Sequence, residues 1–317
     1  MDRRNFIKTS LAGGAAISLS TLLDCSTSEN IKPFPKRKLG KTGEMLSMIG
    51  FGGILVRDEE QANANDAVAK AVDLGINYFD VAPTYGNAEE KLGPALKPYR
   101  DRSFLACKTA ERKKEGAEKE LNESLKKMKT DHFDLYQLHA ITDIEEVETA
   151  FAPGGAMEVF IKAKKEGKVR FLGFSAHSEE AALFAMEKYN FDTILFPINF
   201  AAWFKGNFGP RVIEKAREKD MGILALKGLV HSRLKEGEEK KYEKCWYNPI
   251  APEDDALADM ALRFTFTQGV TAAIPPGEPL FFPRALDIAA NVTPVTQAEQ
   301  DNLLEIAQGL EPIFKTA

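Results

Sequence analysis

Short apolar runs recur along the chain, and stretches with a helical pattern separate each run from the next. Their length and composition are typical of buried strands. The intervening stretches place apolar residues at three- and four-residue steps, as in Ala67-Val68-Ala71-Val72 and Leu121-Leu125-Met128. The eight runs lie at residues 46–52, 76–81, 103–108, 133–138, 169–174, 193–198, 222–227 and 270–274.

A strand that is followed by a helix, many times over, predicts a parallel sheet, because parallel neighbours need a crossover connection. Eight such units in about 280 residues favour a closed (β/α)8 TIM barrel over an open, doubly wound sheet. The dinucleotide-binding pattern G-x-G-x-x-G follows none of the strands, which also disfavours the doubly wound alternative.

Two additions to the barrel are predicted. Gly40 and Gly43 can supply positive φ angles, so the segment from Arg37 to Gly43 is expected to form a hairpin that plugs the amino-terminal end of the barrel. The amphipathic stretch from Gln297 to Leu310 is expected to form an extra helix after the barrel. The predicted division of the chain is a signal peptide at 1–30, a linker at 31–35 and the barrel domain at 36–317.

The N-terminus has the features of a targeting segment. Residues 2–8, Asp-Arg-Arg-Asn-Phe-Ile-Lys, resemble the twin-arginine export signal, and a weakly hydrophobic run extends from Leu11 to Leu23. That run is shorter than the roughly 20 residues of a membrane-spanning helix. Export to the periplasm by the twin-arginine machinery is predicted, with lipid attachment at Cys25 or cleavage near Ser26-Thr27-Ser28 as the alternatives for the signal's end.

Composition narrows the range of partners. The net charge is −5, and the basic residues are dispersed, so neither nucleic acid nor an anionic membrane is expected as a partner. The chain has 3 cysteines, without a C-x-x-C pair, so no metal site is predicted. Cys107 lies within an apolar run, where a small buried side chain is expected.

Reactive side chains follow three consecutive predicted strands. The second strand leads to Asp80 and Tyr85, the third ends at Lys108, and the fourth ends at His139. Catalytic groups of a (β/α)8 barrel lie at the carboxyl ends of its strands. Each residue alone has an ordinary interpretation, such as a helix cap or a surface side chain. Their conjunction at three adjacent strand ends favours catalysis.

The order and the flanks of these residues resemble the aldo-keto reductase family, with the strongest match from Phe79 to Gly86 and an overall similarity from about residue 36 to 292. The resemblance implies that Tyr85 is the general acid, that Lys108 and Asp80 form an ion pair beneath it, and that His139 orients the substrate oxygen. A nearby ammonium stabilises a phenolate, so Lys108 is expected to lower the pKa of Tyr85.

The resemblance also implies a nicotinamide site at the later strands, although several positions differ from the family's pattern. Ser175 is retained as a ligand of the carboxamide, but Ala176 follows it. The family's glutamine is replaced by Pro197, and Asn199, on the same face of the strand, is predicted to substitute for it.

Further cofactor contacts are predicted from strand ends and loops. Leu226 stands where an aromatic ring usually stacks on the nicotinamide, and Lys227 is expected to reach the pyrophosphate, with a surface lysine as the alternative. Glu278 would repel a 2′-phosphate, and Arg284 is the nearest cation, so both NADP(H) and NAD(H) stay open.

Glycines complete the predicted cofactor site. Gly52 and Gly53, after the first strand, are expected either to allow close approach of the cofactor or to be turn residues at the barrel mouth. Gly277 lies in the stretch 274–278, which resembles the family's loop that grips the adenosine ribose. The three glycines are Gly52, Gly53 and Gly277.

Two interpretations of function remain open. The first is a periplasmic oxidoreductase that reduces a small carbonyl substrate with a tightly held nicotinamide. The second is a sensor or assembly module that binds the nucleotide with little or no turnover. The aromatic residues Phe200, Trp203, Phe204, Phe208, Trp246 and Tyr247 are expected either to line an apolar substrate pocket or to pack between loops, and residues 233–244 to form a solvated insertion.

Overall fold

The structure, a computed structural model, describes residues 33–316. The arginine pair, the run from Leu11 to Leu23 and Cys25 lie outside the described residues. Export, signal cleavage and lipid attachment therefore stay predictions. Among residues 33–316, no helix is long and apolar enough to cross a membrane.

An antiparallel hairpin of β1 (Lys36–Lys38) and β2 (Met45–Ser47) closes the amino-terminal end of the barrel. Gly40 and Gly43 have φ angles of +46° and +82°, which a non-glycine residue rarely adopts. Leu39 and Leu46 are fully buried in the cluster of side chains that fills the barrel interior. The predicted plug is confirmed.

Eight parallel strands form the barrel, and strands that follow one another along the chain are neighbours in the sheet. Buried apolar side chains cover both faces of most strands, as expected for a sheet enclosed by helices. The strands are β3 (Phe51–Gly52), β4 (Tyr78–Asp80), β5 (Phe104–Thr109), β6 (Phe133–Ile141), β7 (Val169–Ala176), β8 (Thr193–Pro197), β9 (Gly222–Leu226) and, after a hairpin of β10 (Val230–Arg233) and β11 (Tyr247–Pro249), β12 (Ala272–Ile274).

The last strand meets the first and closes the barrel. The Gly50 N–H donates to the Ala273 carbonyl at 3.0 Å, and the Ala273 N–H donates to the Met48 carbonyl at 2.9 Å. This closure and the helices between the strands confirm the (β/α)8 architecture.

The predicted first strand at 46–52 combines two separate elements. Its first part, Leu46 and Ser47, belongs to β2 of the plug, and only Phe51 and Gly52 pair with β4. Leu46 is buried inside the amino-terminal end of the barrel, so the run is mostly apolar on both sides of the boundary and the sequence does not show where one element ends.

Helices surround the strands and bury one apolar face against them. The first helix, for example, buries Ala64, Ala67, Val68 and Val72. The helices are α1 (Gln61–Asp73), α2 (Ala88–Leu96), α3 (Lys114–Lys127), α4 (Ile144–Phe151), α5 (Ala156–Lys165), α6 (Glu179–Lys188), α7 (Phe200–Phe204), α8 (Pro210–Glu218), α9 (Asp255–Thr267), α10 (Phe281–Ala290) and α11 (Gln297–Gln308).

The extra helix predicted after the barrel is α11. Thr296 and Glu299 form a capping box, in which each side chain accepts a hydrogen bond from the other residue's backbone N–H. This box fixes the start of the helix at Gln297, as predicted. The helix ends at Gln308, two residues before the predicted Leu310.

The predicted surface insertion at 233–244 is only partly solvated. Residues 235–241 are exposed, as expected. Lys244, by contrast, is largely buried, because its ammonium donates to the Leu55 carbonyl at 3.2 Å and lies 3.4 Å from a Glu59 oxygen. Its backbone N–H also donates to Glu278 at 2.6 Å. The end of this segment therefore ties the β10–β11 hairpin to the loops that follow β3 and β12.

Candidate active site

The four predicted catalytic side chains meet at the carboxyl ends of β4, β5 and β6. Asp80 ends β4, Lys108 is the penultimate residue of β5, and His139 lies near the end of β6. Tyr85 comes from the loop after β4, and its hydroxyl lies 3.5 Å from the Lys108 Nζ. The Tyr85 and His139 rings are 5.8 Å apart, edge to face. The fold thus assembles the group that the sequence analysis singled out.

Lys108 and Asp80 form a buried ion pair. The ammonium donates to Asp80 Oδ1, and both side chains are almost completely buried. Tyr78 and Gln137 donate to the other carboxylate oxygen, at 3.2 and 3.4 Å, so the charge is satisfied from two sides. Burial lowers the pKa of Lys108, but the attraction of Asp80 and Tyr85 outweighs it and leaves that pKa raised. The lysine is therefore a permanent cation beneath Tyr85.

The expected net lowering of the pKa of Tyr85 does not hold in this structure. Burial raises the pKa of Tyr85 more than the neighbouring Lys108 ammonium lowers it, and the Asp80 charge adds to the increase. Burial is the largest of these influences, and the Asp80 charge offsets part of the field of Lys108. Tyr85 consequently keeps its proton at neutral pH and has one to donate, and the Lys108 ammonium would stabilise the phenolate left behind.

His139 is held as a neutral imidazole. Burial, followed by the positive charge of Lys108, lowers its pKa from 6.5 to about 3. Its Nδ1 lies 3.4 Å from the Thr84 hydroxyl, and its carbonyl accepts from Arg112 at 2.6 Å. A neutral imidazole can hydrogen-bond a substrate oxygen without contributing a net charge.

This depressed pKa predicts a specific dependence of stability on pH. The unfolded chain takes up a proton on His139 near pH 6.5, whereas the folded protein does so only near 3, so stability present above 6.5 is lost as the pH falls. For one proton, the free energy of unfolding falls by at most about 1.4 kcal/mol per pH unit. Between pH 6.5 and 4, the free energy of unfolding in urea should fall less for His139→Gln than for the wild type. His132→Gln, which alters a surface histidine, is the control, and equal losses in all three proteins would contradict the assignment.

Two of the predicted carboxamide ligands already have partners within the fold. Ser175 is buried and its Oγ accepts from the Ala140 N–H at 2.7 Å, which leaves its hydroxyl hydrogen free to donate. Asn199 caps α7, because its Oδ1 accepts from Ala201 and Ala202. Its amide nitrogen donates to the Lys227 and Val230 carbonyls.

Asn199 thus uses its oxygen and both amide hydrogens inside the protein. The prediction that it substitutes for the family's glutamine lacks structural support, since a buried and fully bonded amide has nothing left to offer a ligand. Its position on the same face of the strand suggested a ligand role, but the residue lies just after β8, where an N-cap is needed to start the next helix.

The predicted cofactor glycines, Gly52, Gly53 and Gly277, lie at the mouth of the barrel in close contact with neighbouring side chains. A Cβ on Gly53 would lie 2.8 Å from Val81, and one on Gly277 would lie 1.8 Å from Ile54. A Cβ on Gly52 would lie 3.0 Å from a side chain of β12. A side chain at Gly53 or Gly277 would therefore collide with a neighbouring loop. This packing accounts for the glycines in a way that the sequence did not suggest. Close approach of a cofactor to these residues stays a prediction.

The charged residues predicted near the adenosine are Glu278 and Arg284. Glu278 accepts a hydrogen bond from the Lys244 backbone, while Arg284 donates to the Ala251 carbonyl at 2.8 Å and lies 3.1 Å from Asp255. The Nε of Arg284 is buried and has no hydrogen-bond partner among residues 33–316. This unsatisfied donor is available to an anionic or polar ligand.

Lys227 follows β9 directly and is only partly exposed. Its ammonium lies 4.3 Å from the centre of the Tyr247 ring and 4.9 Å from that of Trp246. The lysine therefore points across the barrel mouth toward β11 and does not extend freely into solvent.

Of the aromatic residues that were expected to line a pocket or to pack between loops, four pack. Phe200 is fully buried, Trp203 and Phe204 contact Phe264 of α9, and Phe208 stacks on Phe314 at 5.2 Å. Trp246 is half exposed and Tyr247 is buried, and both rings form a wall beside Lys227. Phe314 extends this wall, since its ring lies 4.9 Å from His177 and 6.0 Å from Trp246.

Sequence reasoning missed Tyr78, Gln137 and His177. Tyr78 lies two residues before Asp80 and Gln137 two before His139, so the two-residue period of a strand could have placed both on the catalytic face. His177 lies in the loop after β7. No local sequence pattern links it to the site, and only the folded structure places it there. Within residues 33–316, no group of three or more His, Cys, Asp or Glu side chains is arranged to hold a metal ion. Cys107 is buried, as expected.

Comparison with known proteins points to one family. The model of the aldo/keto reductase family matches residues 48–276. L-galactose dehydrogenase of Arabidopsis thaliana is 25% identical over 311 residues, covering 87% of this chain and 94% of that protein. The uncharacterized oxidoreductase YqkF of Bacillus subtilis is 33% identical over 155 residues, so the match spans 44% of this chain and 48% of that relative.

Solved structures show the same architecture. An aldo-keto reductase from Bacillus halodurans, in its holo form, superposes with a TM-score of 0.67 over 88% of this chain and 98% of its own. The two sequences are 22% identical, so this likeness supports the fold alone.

Proposed function

The chain belongs to the aldo/keto reductase family, and from this premise we propose that it is an oxidoreductase that reduces an aldehyde or ketone with a nicotinamide cofactor, or oxidises the alcohol in reverse. The observation that carries the proposal is the Tyr85 hydroxyl at 3.5 Å from a buried ammonium. A structural lysine would have no need of a phenol above it, since Asp80 already satisfies its charge.

The residues at the barrel mouth fit a dinucleotide in part. Ser175 retains a hydroxyl hydrogen for the carboxamide, Leu226 offers an apolar surface to the ring, and Arg284 has a buried Nε without a partner among residues 33–316. When bound, the nicotinamide supplies or accepts the hydride. Both NADPH and NADH remain candidates, because Arg284 favours a 2′-phosphate and Glu278 opposes it.

The protein's own residues supply the proton and the charge stabilisation. As hydride reaches the carbonyl carbon, the oxygen gains negative charge, which hydrogen bonds from Tyr85 and neutral His139 stabilise. Tyr85 then transfers its proton to that oxygen and becomes a phenolate. The Lys108 ammonium stabilises this phenolate until solvent returns the proton. One hydride and one proton thus convert the carbonyl to an alcohol, and the reverse reaction uses the same groups.

The proposal is tested by assaying purified protein with a panel of aldehydes and ketones and with each reduced dinucleotide in turn, following the absorbance of the nicotinamide. We expect oxidation of the dinucleotide that depends on the carbonyl compound. Denaturing freshly purified protein and identifying any dinucleotide that is released would show which cofactor it carries.

The use of Asn199 as a helix cap and Leu226 in place of a ring favour a second candidate, a sensor or assembly module that binds the nucleotide without turnover. The same assay separates the two functions. Tight dinucleotide binding without turnover of any carbonyl compound would support the sensor and contradict the reductase.

We also propose that the protein is exported to the periplasm by the twin-arginine route, from the sequence at residues 2–8. Replacing Arg3 and Arg4 together by lysine is expected to retain the protein in the cytoplasm on cell fractionation. Cys25→Ala tests lipid attachment, because a lipidated protein would move from the membrane fraction to the soluble periplasm. Periplasmic recovery of the double arginine variant at the wild-type level would contradict this route.

A further inference from the structure

Lys227 has an unusual backbone conformation for its residue type. Its φ angle is +72°, in the left-handed region where a side chain is unfavourable. The conformation is maintained by two hydrogen bonds to its carbonyl, from the Val230 N–H at 3.0 Å and from the Asn199 amide at 3.3 Å. Strain of this kind is often retained at binding sites, where it directs a side chain.

The ammonium of Lys227 has no anionic partner within residues 33–316. In that part of the chain it makes no hydrogen bond and no ion pair, and its neighbours are the faces of Trp246 and Tyr247. Burial lowers the pKa of Lys227 to about 8, and the opposing influence comes from Cys245 and not from a carboxylate. Lys108, on the same rim, has the usual partner of a buried lysine, a carboxylate, since Asp80 balances its charge. Rings stabilise a cation less than a carboxylate does, so an anionic ligand would be bound favourably here.

This ammonium lies on the same rim of the barrel as the candidate catalytic groups, since Lys227 directly follows the carboxyl end of β9. Tyr247, whose ring it contacts, is close enough to Tyr85 for that hydroxyl to contribute to the raised pKa of Tyr247, after burial, Cys245 and Glu278. On the other side, the charge of Lys227 adds to burial in lowering the pKa of His177 to about 4. His177 in turn contributes to the lowered pKa of His139.

We propose that Lys227, together with the rings of Trp246 and Tyr247, binds the carboxylate of the carbonyl substrate, so that the preferred substrates are aldehyde or ketone acids. This inference rests on the proposed reductase function. The exposed Trp246 ring can contact the carbon skeleton of an organic acid while the ammonium, held over the buried Tyr247 ring, pairs with its charge. Trp246 is 49% exposed, which leaves the site open to a small molecule.

The cofactor's diphosphate carries the same kind of charge and is the other source of an anion for Lys227. The aromatic wall favours the substrate, because a diphosphate is usually held by several backbone N–H groups and cations, whereas an organic acid has apolar surface to bury.

The test compares terephthalaldehydic acid with its methyl ester, which share a ring and an aldehyde and differ in charge. Lys227→Met is expected to lower the ratio of kcat/KM for the acid to that for the ester by about tenfold or more. Lys188→Met is the matched control, since that lysine also lies over a ring, Phe184 at 4.6 Å, but on a surface helix. It should leave the ratio at the wild-type value.

Dissociation constants for the dinucleotide, measured by tryptophan fluorescence, separate the two sources of anion. An unchanged ratio of acid to ester, with weaker dinucleotide binding in Lys227→Met, would assign the lysine to the diphosphate and overturn the inference. An equal loss for acid and ester would overturn it as well.

A binding measurement tests this inference even if the protein reduces no carbonyl compound. Absence of reduction would refute the proposed function but not the binding of an organic acid at Lys227. Benzoate and benzamide are inert ligands of similar shape, and their binding can be followed through the protein's tryptophan fluorescence, since Trp246 lies beside Lys227. We expect the wild type to prefer benzoate and Lys227→Met to lose that preference. Equal affinities of the wild type for both ligands would overturn the inference.

Discussion

Tyr85→Phe is expected to lower kcat/KM for every carbonyl substrate by about 10²- to 10⁴-fold, the usual contribution of a positioned general acid. The substitution removes only the hydroxyl, which lies 3.5 Å from Lys108. Without it, the carbonyl oxygen keeps the hydrogen bond from His139 but has no proton to receive. The loss should appear in kcat more than in KM, since the proton is needed in the transition state.

The controls for this experiment separate chemistry from folding. Dinucleotide binding and thermal unfolding should change little in Tyr85→Phe, because the ring still packs against the core. Tyr189→Phe removes a hydroxyl at the end of α6, on the opposite face of the barrel, and should retain full activity. Turnover by Tyr85→Phe at the wild-type rate would exclude Tyr85 as the proton donor.

The barrel and the residues of the candidate active site could be predicted because both depend on local patterns that repeat. Each strand is a short apolar run bounded by helices, and parallel connectivity places every strand's carboxyl end on the same rim. Asp80, Lys108 and His139 lie at or near the ends of adjacent strands, so strand order alone brings them together. The capping box at Thr296 is likewise a local signal, and it determines the start of the last helix.

The features that the sequence left open depend on contacts between distant segments. The net pKa of Tyr85 reflects a balance between burial, Lys108 and Asp80, which only the packed structure sets. Asn199 could be interpreted as a ligand until its amide was seen to bond the Lys227 and Val230 carbonyls. Lys227 contacts rings about twenty residues further on, across a hairpin that the apolar pattern did not reveal.

Replacing Lys108 by Met is expected to cost about 3–5 kcal/mol of unfolding free energy as well as activity, because it leaves the Asp80 carboxylate buried without its cation. Tyr78 and Gln137 would still donate to Asp80, but neutral hydrogen bonds do not replace an ammonium at hydrogen-bond distance. Urea denaturation measures the stability, and the aldehyde assay measures the activity.

The double variant Asp80→Asn with Lys108→Met separates the two consequences. An asparagine can retain the hydrogen bonds from Tyr78 and Gln137 without a charge, so most of the lost stability should return. Activity should not return, since the phenolate of Tyr85 would still lack a neighbouring cation. Lys162→Met, which breaks an exposed pair with Glu118, is the control for loss of a lysine and should have little effect on either property. A double variant that remained as unstable as Lys108→Met would show that the lysine's packing, and not the unpaired carboxylate, causes the loss, whereas recovered activity would remove Lys108 from the mechanism.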